Sequence, residues 1–135
     1  GGKLSPTLEV IDYAFWSNEH PSKERARQIF LEITDYILFN YNSSERLRPF
    51  LVNYPFNPRN VEVTIFFYKV SLEGEIETVS GFKDKIFYKR VSTELNCKQK
   101  LEYEDFDETY YSVYGKMWDP FKYGNTLDND IKSCE

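Results

Sequence analysis

The tightest constraint on this chain is one long helical pattern set among short stretches of two-residue alternation. Between Ser22 and Tyr41, the residues Ala26, Ile29, Phe30, Ile33, Ile37 and Tyr41 recur at three- and four-residue spacing. That spacing lines one face of an α-helix. Ser22 is the expected N-cap, and Glu24 stands where the helix dipole favours an anion. The capping box is incomplete, because Arg25 occupies the position that Glu or Gln would take. Asn40, Asn42 and Ser43-Ser44 end the pattern. A helix with an apolar face needs a surface to cover, and the flanking sequence supplies strands.

Leu8 to Trp16 alternates, with Ile11, Tyr13 and Phe15 on one side and Leu8, Val10, Ala14 and Trp16 on the other. Val61 to Val70 is apolar on both faces at Ile65-Phe66-Phe67-Tyr68, as a central strand requires. A turn at Ser71 to Gly74 leads into Glu75 to Ser80, and a turn at Gly81 to Asp84 into Lys85 to Val91. A weaker strand is expected over Leu95 to Tyr103. Short connections of this kind join antiparallel neighbours. From Asp107 the period changes again. Tyr110, Tyr111, Tyr114, Met117 and Trp118 mark one face of a second helix capped by Asp107, with Gly115 weakening its interior and Asp119-Pro120 ending it.

The expected fold is therefore α+β, a two-layer sandwich. An antiparallel sheet of about four to five strands lies under a long N-terminal helix and a shorter C-terminal helix. The 135 residues suit one domain, 1–120, followed by a polar tail over 121–135, held only where Phe121 or Tyr123 finds a pocket.

Composition removes several classes. The chain is 18% aromatic, with 11 Tyr, 11 Phe and 2 Trp, which does not describe a disordered chain. Its only alanines are Ala14 and Ala26, so the rings are chiefly a way of filling a core. No apolar run is long enough for a membrane-spanning helix. Net charge is −5, and residues 101–135 hold three basic against nine acidic side chains. Such a balance disfavours phosphate backbones as partners. Cys97 and Cys134 have no metal-ligand spacing; in an oxidising compartment they are free to pair, and in a reducing one they are a strand residue and a tail thiol. Gly1-Gly2 reads equally as a tag remnant or as native chain.

Catalytic signatures are sparse. His20, the one histidine, sits in a polar turn before Pro21, and there is no nucleophile elbow, phosphate loop or zinc motif. Glu102, Glu104, Asp105, Asp107 and Glu108 form an acidic run without the glycine of a calcium loop, as does Asp128-Asn129-Asp130. No metal and no cofactor are expected. Lys83, Lys85, Lys89 and Arg90 interleave with Phe82, Phe87 and Tyr88, the mixture used for single-stranded nucleic acid. A lysine-guarded strand face explains it equally well.

Two sets of residues are candidates for binding. The first lies in the connector Arg48 to Pro58, which holds Pro49, Pro55 and Pro58 and is extended for that reason. Arg48 offers five donors at this bend, Asn53 suits an Asx turn, and Tyr54 and Phe56 can plug the space between helix and sheet. The segment reads as a structural clasp or as a small pocket for an anion or peptide terminus, built from Arg48, Asn53 and Tyr54. Tyr54-Pro55 is a candidate cis bond. The second set is the tyrosine face Tyr110, Tyr111 and Tyr114, either core packing or a recognition surface.

The order Ala26-Arg27, apolar helix, Asn42-Ser43-Ser44-Glu45, Leu47-Arg48-Pro49-Phe50-Leu51, Asn53-Tyr54-Pro55-Phe56, Asn60-Val61 and Ile65-Phe66-Phe67 resembles a family of small uncharacterised proteins. These occur in multiple copies in chlamydia-related bacteria. The resemblance runs from Thr7 to Tyr114, with the Arg-Pro-aromatic-Leu-x-Asn-Tyr-Pro-Phe core as its specific part. Met117 to Glu135 extends past it. It implies no particular chemistry, and implies an exported or envelope location through the signals some members carry. Taken together, the sequence favours a binding or protein-interaction domain with a protein or peptide partner. The alternatives are a small hydrolase or transferase using Arg48 with carboxylates, and a single-stranded nucleic-acid binder using Lys83 to Arg90.

Overall fold

The computed structural model describes residues 7–70, 72–92 and 102–123. The long helical pattern folds as α1, Lys23–Ser43, with the Ser22 hydroxyl accepting the Arg25 N–H at 3.2 Å. The alternating segments form β1 (Ile11–Ser17), β2 (Val61–Phe67), β3 (Ile76–Phe82) and β4 (Lys85–Arg90), followed by β5 (Glu102–Asp105). These make one five-stranded sheet in the order β1-β2-β3-β4-β5. Of the weak strand expected over Leu95 to Tyr103, residues 95–101 lie outside the described residues. The α+β class, with a long first helix and a short last one, is as the sequence predicts.

One pairing departs from the antiparallel expectation. β1 runs parallel to β2, with Ile11 opposite Val61 and Ser17 opposite Phe67. The reason is the intervening helix, which returns the chain to the end of the sheet from which it left. The hairpins β2-β3-β4 and the pair β4-β5 are antiparallel.

The alternation places Ile11, Val61, Val63, Ile65, Phe67, Ile76, Val79, Ile86 and Tyr88 beneath α1, all buried. On α1 the buried set is broader than the expected stripe: Ala26, Phe30 and Ile37 are joined by Leu31, Thr34, Asp35, Leu38 and Asn42. Ile29, Ile33 and Tyr41 are only partly covered. The helix is wrapped on a second flank, and the wrapping element is α2 (Phe106–Tyr114). Phe106 meets Phe30 edge-on at 6.4 Å, and the Tyr110 hydroxyl reaches the buried Asp35 carboxylate at 3.1 Å. The Phe30 ring of α1 lies over Gly81 of β3. A Cβ there would stand 2.3 Å from Phe30 Cζ, so the strand has a glycine beneath that ring.

The boundaries of α2 correct the sequence reading. Its N-cap is Asp105, not Asp107, and its carboxylate accepts the Glu108 N–H at 3.2 Å. Gly115 does not weaken the helix interior; it ends the helix, with φ of 71° and its N–H bonded to the Tyr111 carbonyl. Met117 and Trp118 therefore lie beyond the helix. The chain then turns back across α1, bringing Phe121 to 6.1 Å from the Tyr54 ring and Tyr123 against Tyr36 and Phe39.

Candidate functional site

The connector is a clasp. Asn42, buried at the end of α1, accepts the Phe56 N–H at 2.7 Å and donates to the carbonyls of Phe56 and Pro120 at 2.8 and 3.2 Å. Tyr54 donates its hydroxyl to the Asn42 carbonyl at 3.2 Å, and the Tyr54-Pro55 bond is cis. Arg48 lies in a short 3-10 turn, exposed, with its guanidinium 5.1 Å over the Tyr54 ring. Among the described residues no carboxylate pairs with it. Asn53 is exposed at φ 57°, a conformation that asparagine tolerates. Arg48 and Tyr54 are thus brought together by stacking, while Asn53 stands apart.

The tyrosine helix divides in the same way. Tyr110 is buried, Tyr111 is exposed, and Tyr114 packs its ring 4.6 Å from Tyr110. Adjacent residues on a helix point about 100° apart, so Tyr110 and Tyr111 do not share a surface.

The charged segments are engaged in pairing. Lys85 meets Asp105 at 3.4 Å, Lys89 meets Glu77 at 3.5 Å and Arg90 meets Glu102 at 3.0 Å. Glu104 accepts a two-pronged bond from Arg27, at 2.9 and 2.6 Å, and the Tyr88 hydroxyl at 2.5 Å. Burial opposes its negative charge, but these donors outweigh it and hold the carboxyl below the usual range. Burial, then the Glu104 bond, pushes the Tyr88 hydroxyl up. Among the described residues no three His, Cys, Asp or Glu gather to hold a metal, and no helix is long and apolar enough to cross a membrane. Cys97, Cys134 and Asp128-Asn129-Asp130 lie outside the described residues.

A groove of about 460 Å³ lies elsewhere, between β1 and α1. It exists because α1 sits over β2 and β3 and leaves the inner face of the edge strand partly bare. Tyr13 and Phe15 from β1 form one wall, their rings stacked at 6.0 Å. Ile33, Tyr36, Ile37 and Tyr41 from α1 form the other, with Glu32 and Asn40 at the rim and Tyr123 beside them. Across it the hydroxyls of Tyr13 and Tyr41 bond at 2.7 Å. Burial, then that bond, pushes the Tyr41 hydroxyl up to about 12, so it remains neutral at physiological pH.

No protein-family model, curated protein or solved structure matches this chain. The geometry of its own residues therefore carries the functional reading. A wall of rings and isoleucines with one carboxylate has the chemistry to accept apolar groups and a nearby cation. Helical spacing puts Ile33, Ile37 and Tyr41 in the core, takes Asn40 only as a helix stop although α1 runs through it to Ser43, and gives Glu32 and Tyr36 no role. The usable signal was a second apolar flank on α1, at Ile29, Ile33, Tyr36 and Phe39, wider than one sheet contact needs.

Proposed function

We propose that this is a protein-interaction domain that takes an apolar, aromatic-bearing segment of a partner protein into the groove between β1 and α1. The observation that carries this reading is the groove itself. Its walls are rings and branched chains from β1 and α1, and it adjoins an edge of the sheet. Concavities of several hundred Å³ with apolar walls and a few polar groups at defined places are the usual form of ligand sites, and an aromatic side chain of a partner is a ligand of that size. Tyr36 is 57% exposed there, a large ring held half in water against Tyr123. Covering the part still exposed stabilises a complex by about 1–2 kcal/mol, roughly a factor of ten in affinity.

Selection of random linear peptides on the whole chain should enrich those with Phe, Tyr, Trp or Leu at repeated positions. Fluorescence anisotropy of an enriched peptide should then show about tenfold or greater weakening in Tyr36→Asp and in Ile33→Gln, with unaltered far-ultraviolet circular dichroism. Selected peptides that bind both variants as tightly as the parent would remove the groove from consideration.

A further inference from the structure

We infer that the partner segment, on the groove-binding reading above, docks as an added strand on the outer edge of β1. The backbone fixes which groups are on offer. The Ser17 carbonyl accepts the Tyr68 N–H at 3.2 Å and the Glu9 carbonyl accepts the Asn60 side chain at 3.1 Å, both on the β2 side. Successive residues of a strand point their N–H and C=O to opposite sides, so Asp12, Ala14 and Trp16 present theirs away from β2. Just ahead of β1 the connector covers that side at Leu8, whose N–H bonds the Phe50 carbonyl at 2.7 Å and whose carbonyl accepts the Val52 N–H at 2.9 Å. Among the described residues none pairs with Asp12, Ala14 or Trp16 there, because β1 is an end strand of the sheet.

The two edges are unlike. β5 is four residues long and carries Glu102, Glu104 and Asp105, a short and charged edge. β1 has seven residues with a single charge, the exposed Asp12, and neither lysine nor proline stands in its stretch from Ile11 to Ser17. Edges left long and unguarded are where strand addition occurs.

An added strand would point alternate side chains to opposite faces. Those on the α1 side enter the groove beside Phe15, Tyr13 and Tyr36. Those on the other side lie along Trp16, which is 65% exposed and stacked on Phe66 at 5.4 Å. Glu32 is the one charged residue lining the groove. Arg25 feels its charge but is bonded to Glu19 and Gln28, and no cation of the described residues comes within ion-pair distance of Glu32. The occupant is therefore an extended segment about as long as β1, apolar or aromatic at alternate positions, with one lysine or arginine facing Glu32.

The test uses the full chain and a synthetic peptide of β1's length, with phenylalanine, leucine and lysine at alternate positions between threonines. N-methylation of each backbone amide in turn should weaken binding about tenfold or more at alternate positions only. Ala14→Pro should cause a similar loss with the circular dichroism spectrum retained, since proline is tolerated where an edge N–H faces solvent. Glu32→Gln should weaken the lysine peptide and leave its norleucine analogue unchanged. If every N-methylated peptide binds equally while Tyr36→Asp still abolishes binding, strand addition is overturned and the groove reading stands. If Tyr36→Asp is also without effect, both fall. A dimer of the free chain that Ala14→Pro dissociates in sedimentation would place a second copy on the edge and overturn the peptide proposal.

Discussion

Asn42 does for the connector what a strand partner does for a sheet. The three prolines between Arg48 and Pro58 leave few amides with which to build regular structure, and the chain must still pass beneath the end of α1. One buried side-chain amide satisfies both polar groups of Phe56 and also ties down Pro120. Asn42→Ala would orphan the Phe56 N–H and C=O where water does not reach, and should cost about 2–4 kcal/mol in a urea titration. Asn42→Asp keeps the acceptor but loses both donated bonds, and should recover only part of that loss. The prolines and plugging rings of this clasp were legible in the sequence. Its hub was not, since Asn42 also reads as an ordinary helix stop, and its role requires knowing that the chain returns to it.

Between elements, the Arg27, Glu104 and Tyr88 cluster joins α1 to β4 and β5 on the covered side of the sheet. Because Glu104 has a folded-state pKa below its ordinary value, the cluster contributes stability above the unfolded carboxylate range, near 4.3. That contribution disappears as pH falls through the folded value. Urea midpoints measured from pH 7 to pH 3 should therefore fall more steeply in the parent than in Glu104→Gln, and the two curves should converge at low pH. Equal slopes would show that the pair does not couple to folding. Periodicity made the extent of α1 and the hairpins readable. The start of α2 was missed because Asp105 is both the last residue of β5 and a helix cap, and nothing in local spacing separates Asp105 from Asp107. The parallel partner of β1 was missed because hairpin reasoning applies only to strands joined by short turns.

At the scale of the whole molecule, sheet order follows sequence order, but the cost of closing each pair is uneven. Phe82 pairs with Lys85 across a tight turn, whereas Ile11 must find Val61 after α1 and the whole connector have formed. Loop closure grows costlier with separation, so β1 should join last and leave first. Native-state hydrogen exchange should show an alternating pattern along it: fast amides at Asp12, Ala14 and Trp16, and slower ones at Tyr13 and Phe15. The slow β1 amides should still exchange ahead of those of Ile65 and Val79. Uniform protection along β1 would contradict the open edge. When β1 lifts away, the strand uncovered is β2, whose Val61–Phe67 run is rich in β-branched and aromatic residues with a single charge. Such a segment seeds fibrils when its backbone is bared. The strand that leaves one side of the sheet open should thus also be the cover that keeps this chain from aggregating, and its rate of opening should govern shelf life.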